Sequence, residues 1–151
     1  MTETQAPVDP FAMTGLEQLE AMTRGELPGA PIADTIGMEN FGGGHGAIHV
    51  ELVPQARHYN PLGTVHGGVI STLLDTAAGC SVHSTLAAGE GYTSLDLTVK
   101  FLRPVTVDSG RLRAEGRVIH RGRRTALAEA VLLDAAGKQV AHATSSCMIF
   151  S

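Results

Sequence analysis

One stretch of the chain repeats its apolar residues at helical spacing for long enough to build a major helix. In residues 69–88 (VISTLLDTAAGCSVHSTLAA), Ile70, Leu73, Leu74, Ala77 and Ala78 fall on one side, predicting a helix of about 18 residues, ~27 Å long. Its Ala, Gly, Ser and Cys residues carry little bulk, which suits close burial against a sheet. The flanking segments repeat every two residues instead. Ile48, Val50 and Leu52 alternate with His49 and Glu51, the pattern of a half-buried strand. Past Gly89, Leu95, Leu97, Val99 and Phe101 alternate with Asp96, Thr98 and Lys100, and residues 104–110 turn the chain. Residues 111–120 set Leu112, Ala114 and Val118 against Arg111, Arg113 and Arg117, and residues 124–133 put Leu127, Val131 and Leu133 on one face. The turn DAAGKQ leads into a last strand, residues 140–150. Two strands, a helix and four more strands on short connections predict an α+β arrangement, an antiparallel sheet with one central helix.

Ahead of this unit, residues 1–12 are polar and proline-rich and are expected to fray. Thr14 can cap a short helix with Leu16, Leu19 and Met22 on one side, ended by Gly25, Pro28, Gly29 and Pro31. From Ile36 the pattern turns strand-like, and the glycine cluster of residues 42–46 reads as a turn or bulge. The division is therefore a tail and short helix, residues 1–33, and one main domain, residues 34–151.

A chain of 151 residues with 43% hydrophobic residues can build one real core, burying roughly 70% of the surface its unfolded form exposes. Its charged fraction of 17% is low against the usual ~25%, which favours a subunit of an oligomer. There is no apolar run of membrane-spanning length, and the start, MTETQAPVDP, lacks the layout of a secretion signal. The expectation is a cytoplasmic protein without a membrane partner, in which Cys80 and Cys147 are buried thiols. The two cysteines lack the Cys/His spacing of structural zinc, so no metal is expected. The net charge of −4 and the 4% aromatic content argue against a nucleic-acid partner.

Several residues stand out chemically. Asp75 interrupts an apolar helix. Burial would raise its pKa toward that of a general base or nucleophile, but it also lies at about 140° from Ile70, where an exposed face is an equal reading. His66-Gly67-Gly68 opens the helix, where backbone N–H groups and the helix dipole can polarise a carbonyl, or simply make a tight turn. Asn60, before Pro61, could hold its loop together or bind a substrate carbonyl. His58 and His66 are candidate acids, bases or loop-fixing groups; GxSxG is absent.

Taken together, HYNPLGTVHGGVISTLLD resembles the signature of hotdog-fold acyl-CoA thioesterases of the phenylacetate-degradation (PaaI) type, within the 4-hydroxybenzoyl-CoA thioesterase-like superfamily. The elements that carry it are an Asn six residues before His-Gly-Gly and an acid nine residues after that His. It extends through TSLDLTVKFLRPV, covering about residues 34–150. The resemblance implies a long helix wrapped by a curved antiparallel sheet, and a homodimer or homotetramer with sites between subunits. It also implies hydrolysis of an acyl-CoA, aryl-acetyl or medium-chain, with coenzyme A as part of the substrate and no separate cofactor. By the same resemblance Asp75 is the catalytic acid and the Gly67 N–H polarises the thioester oxygen. Asn60 holds the carbonyl or water, His66 positions it, and Ser94 or Thr93 orients the water. Gly68 lies beside the substrate, and Arg121, Arg123 and Arg124 become candidates for the phosphates of coenzyme A. Two alternatives stand: a non-catalytic acyl-CoA-binding module, and a hotdog hydratase, from whose loop pattern the chain departs at His58 and Leu62.

Overall fold

The structure, a computed structural model, describes residues 6–151. The expected fraying of residues 1–5 lies outside them; within the rest of that stretch, residues 10–12 form a single 3-10 turn capped by Asp9. Helix α1, Gly15–Thr23, starts on Thr14, whose hydroxyl accepts from the Glu17 N–H while the Glu17 carboxylate accepts from the Thr14 N–H, a reciprocal cap. A second short helix that periodicity did not reveal, α2, spans Pro31–Ile36 and ends on Gly37. It takes in Ile36, so the strand expected there begins at Met38, and the boundary expected between residues 33 and 34 falls inside it. Ala21 of α1 is fully buried, and the Gly15 N–H donates to Leu86 O.

Seven antiparallel strands follow: β1 Met38–Gly44, β2 Ala47–Leu52, β3 Gly91–Ser94, β4 Thr98–Phe101, β5 Leu112–Arg121, β6 Thr125–Leu133 and β7 Gln139–Phe150. They form one sheet in the order β1-β2-β5-β6-β7-β3, with β4 also paired to β7. The long helix α3, Gly67–His83, lies across it. Its 17 residues begin two residues earlier than periodicity indicates and stop at His83, where Ser84 closes the last turn.

Of the strand expected over residues 95–101 only Thr98–Phe101 forms, as β4, and β3 lies just ahead of it. Asp96 breaks it: its Oδ1 accepts from the Ser146 N–H and its carbonyl from the Ser145 hydroxyl. Leu95 and Phe101, which the alternation assigned to a buried face, are 58% and 56% exposed. On β6 Leu127, Val131 and Leu133 share a face as expected, and it is the outer one; Ala126, Ala128, Ala130 and Leu132 point at α3.

That small-residue floor is what lets α3 approach. A Cβ on Gly116 of β5 would lie 2.2 Å from the Ala77 carbonyl oxygen and 2.6 Å from the Ser81 hydroxyl, so only glycine allows this contact. Two helix serines then fasten the β1–β2 hairpin to α3. Ser81 Oγ accepts from the Ile48 N–H and Ser84 Oγ from the Gly46 N–H, while each donates to a carbonyl of α3. Among the described residues no helix is long and apolar enough to cross a membrane.

Candidate active site

The loop before α3 is held from both ends. His58 is buried; its Nδ1 accepts from the Gln55 N–H, so its Nε2–H donates to Ile36 O at 2.7 Å. This makes His58 the loop-fixing group of the two histidines considered. Tyr59 OH accepts from the Val107 N–H, and the Val65 N–H donates to Val105 O. Within that frame Asn60 Oδ1 accepts from the Leu62 and Thr64 N–H groups at 2.9 and 3.2 Å, and one Nδ2 hydrogen goes to Thr64 Oγ1 at 2.9 Å. The amide cannot flip without losing both acceptor bonds, and its second Nδ2 hydrogen has no partner among the described residues.

His66 is the N-cap of α3, its Nδ1 accepting from the Gly68 N–H at 2.8 Å, which puts the proton of the neutral ring on Nε2. Nothing among the described residues accepts from the Gly67 N–H. It is one of the donors that every helix start leaves unmatched, and the dipole adds partial positive charge there. A side chain on Gly67 would come within 3.0 Å of the tip of the exposed Phe101 ring, which would have to give by a few tenths of an ångström. Asn60, Thr64, Gly67, Phe101 and Arg103 line one cavity of about 380 Å³. Arg103 has no ion-pair partner among the described residues, so a free donor, a helix start and a cation share one opening. The sequence does not single out Arg103; the one signal for it is an arginine set between Phe101 and Pro104 where a strand gives way to a turn.

Asp75 is not in that cavity. It lies eight residues from Gly67, about 12 Å along the helix, on the exposed side of α3 in the single subunit. No group among the described residues forms a hydrogen bond or ion pair with it. Partial burial of its carboxyl nevertheless holds its pKa above the ordinary carboxylate value. Its charge is felt nearby: burial first, then the Asp75 charge, push the Cys80 thiol to about 11, and burial foremost raises Tyr92. Ser94 and Thr93 are exposed at the end of β3, Ser94 Oγ lying 4.0 Å from Cys147 Sγ, and neither bonds Asp75.

The arginines separate into two kinds. Arg121 is committed internally, donating to Glu90, Thr85 Oγ1 and its neighbour Gly122 O. Arg111, Arg113 and Arg117 pair with Glu39, Glu115 and Glu129. Arg123 and Arg124, exposed at the β5–β6 turn, have no ion pair among the described residues.

The profile of the Thioesterase superfamily matches residues 62–141, more than half of the chain and the whole of α3. The chain belongs to the thioesterase superfamily. It is 30% identical over 94 residues to the proofreading thioesterase EntH of Klebsiella pneumoniae, spanning 62% of this chain and 67% of EntH. Among solved structures, a phenylacetic acid degradation-related protein of Ralstonia eutropha JMP134 is 33% identical, with a TM-score of 0.78 over 86% of this chain and 98% of its own. The E. coli PaaI protein of the phenylacetic acid degradation operon superposes with a TM-score of 0.78 over 93% of this chain and 96% of its own at 22% identity, a likeness of fold. The architecture is the hotdog fold of these thioesterases.

Proposed function

We propose that this superfamily member is an acyl-CoA thioesterase that works as a homodimer or a tetramer of such pairs, each site shared between two subunits. The carrying observation is that α3 presents a free Gly67 N–H beside Asn60 and Arg103, while the acid stands about 12 Å farther along the same helix. One chain thus holds the two halves of a hydrolytic site too far apart to act on one bond. Two copies related by a two-fold axis bring the acid of each to the donors of the other.

In this reading the thioester carbonyl accepts from the Gly67 N–H and from the spare Asn60 Nδ2 hydrogen, which stabilise the charge that develops on its oxygen. His66 fixes the first turn through the Gly68 N–H. Asp75 of the facing subunit, its pKa raised by partial burial, takes the proton of an attacking water or attacks the carbonyl itself, and the thiolate of coenzyme A leaves. Arg103 faces the substrate, and Arg123 and Arg124, unlike Arg121, remain available to phosphates. The hydratase alternative is disfavoured because Leu62, where that loop pattern carries a histidine, is an 89% exposed aliphatic residue.

The test is release of free thiol from a panel of short, medium, long and aryl-acetyl CoA thioesters by wild type and Asp75→Asn. Turnover on a subset, lowered by about 10²–10⁴ in the variant, is expected. Full activity in Asp75→Asn would refute the role of the acid, and acyl-CoA binding without any turnover would favour the binding-module alternative.

A further inference from the structure

A second cavity, of about 570 Å³, lies apart from the donor pocket, within the roughly 300–1,000 Å³ typical of small-molecule sites. Its roof is the N-terminal segment: Leu16, Leu19 and Met22 of α1 and Ala33 of α2 face it. This is where the apolar side of α1 goes, since those three residues are only half-buried. Its floor includes Thr76 and Cys80 of α3, two residues one turn apart, the first of them adjacent to Asp75.

The two cavities differ in charge. The donor pocket has Arg103 and a helix start; among the described residues no Lys, Arg or His lines the second cavity, and its one charged lining residue is the exposed Glu20. Phosphates are therefore disfavoured in it, and so is a carboxylate, which would lose its water among apolar groups with no cation to pair it. Cys80 stays a neutral thiol at physiological pH, held up to about 11 by burial and by Asp75, and so behaves as a small apolar wall.

We infer that the cavity roofed by α1 and α2 takes the acyl portion of the substrate and selects an uncharged, apolar acyl group over one ending in a carboxylate. The inference rests on the thioesterase reading and names its substrate class. The coenzyme A portion stays in the cationic opening of one subunit, and the acyl group runs past Asp75 of the facing subunit beneath that subunit's N-terminal roof.

The experiment measures kcat/KM of the full-length protein on a straight-chain series from acetyl-CoA to dodecanoyl-CoA, with adipoyl-CoA as the charged member. Values should climb by about fourfold for each methylene buried until the cavity fills, and adipoyl-CoA should fall about 100-fold below hexanoyl-CoA. Ala33→Phe, which fills the cavity, should lower the octanoyl-to-acetyl ratio about tenfold; Leu19→Ala should move the optimum to longer chains. Ratios taken within one variant are insensitive to loss of folded protein. Ratios unchanged in both variants, with hydrolysis intact, overturn the inference and leave the thioesterase reading standing. If wild type cleaves no member, that reading fails, and titration calorimetry of octanoyl-CoA against coenzyme A decides the cavity. Tighter binding of octanoyl-CoA by about tenfold, abolished by Ala33→Phe, sustains it, and equal binding overturns it.

Discussion

Two dead variants should make a live enzyme when mixed. Asp75→Asn removes the acid and keeps the donors; Asn60→Ala removes a donor and keeps the acid. Each alone is expected to lose about 10² or more in kcat. The two residues lie at different places on one subunit, Asn60 beside the start of α3 and Asp75 about 12 Å along it. In the proposed two-fold pair each site takes Asn60 from one subunit and Asp75 from the other. In a hybrid pair, one site receives both intact residues and the other neither. Random exchange at equal amounts makes half of the pairs hybrids, so about a quarter of wild-type activity should return. Thiol release on the best substrate of the panel reads the activity, and native mass spectrometry counts the hybrids. Hybrids present in the expected share without recovered activity would refute a shared site and return both residues to one chain.

Other expectations follow from packing and charge. Gly116→Ala places a methyl 2.2 Å from the Ala77 carbonyl oxygen, and lifting α3 to relieve it should cost about 3 kcal/mol, roughly 6–12 °C in Tm for a chain of this size; a melt within a degree of wild type would contradict the contact. Because Asp75 has its pKa raised in the fold, the native state binds its proton more tightly than the unfolded chain, so stability falls as pH rises through that range. Asp75→Asn should accordingly melt above wild type at pH 7, with the gap closing toward about pH 3, where both states carry the neutral acid; a gap that stays constant with pH would oppose this. Arg121→Ala, which cuts the tie to Glu90 and Thr85, should cost about 1 kcal/mol in chemical denaturation. Arg123→Ala and Arg124→Ala should leave stability alone and raise KM for acyl-CoA, by less at high salt.

The architecture could be read from two periods, 3.6 around Leu73 and Leu74 and 2 around Ala114 and Val118, because both sets of residues are buried on one side only. It is harder to read where burial and hydrophobicity part company. The inner face of β6 is made of alanines, so the larger Leu127 and Val131 drew attention to the outer face. Asp96 stopped a strand through bonds to Ser145 and Ser146 on β7, partners fifty residues away that no local pattern reveals. In the site, Asn60 and Gly67 were legible because spacing places them at one helix start. Arg103 and Phe101 were not, since they reach the same cavity from β4 and the turn after it. Asp75 had two equal readings from the pattern, and the single subunit realises the exposed one, with partial burial of its carboxyl still raising the pKa.

The alanine floor under α3 has a further consequence. Ala126, Ala128, Ala130 and Ala143 have no side-chain rotamers to exchange, and the helix resting on them is keyed in place by Gly116 beneath Ala77 and by the Ser81 and Ser84 bonds to the β1–β2 hairpin. Gly67 and Asp75 lie on this one helix, so the spacing between them is set by its rise and is common to every copy of the subunit. If the second cavity takes the acyl group, adaptation to a different one falls to the residues that line it from α1, α2, β1 and α3, and those of α1 and α2 line none of the donor pocket. On the proposed reading, reaction and substrate choice are drawn from largely separate side chains, joined where the carbonyl of Ile36 in α2 holds His58 of the donor loop.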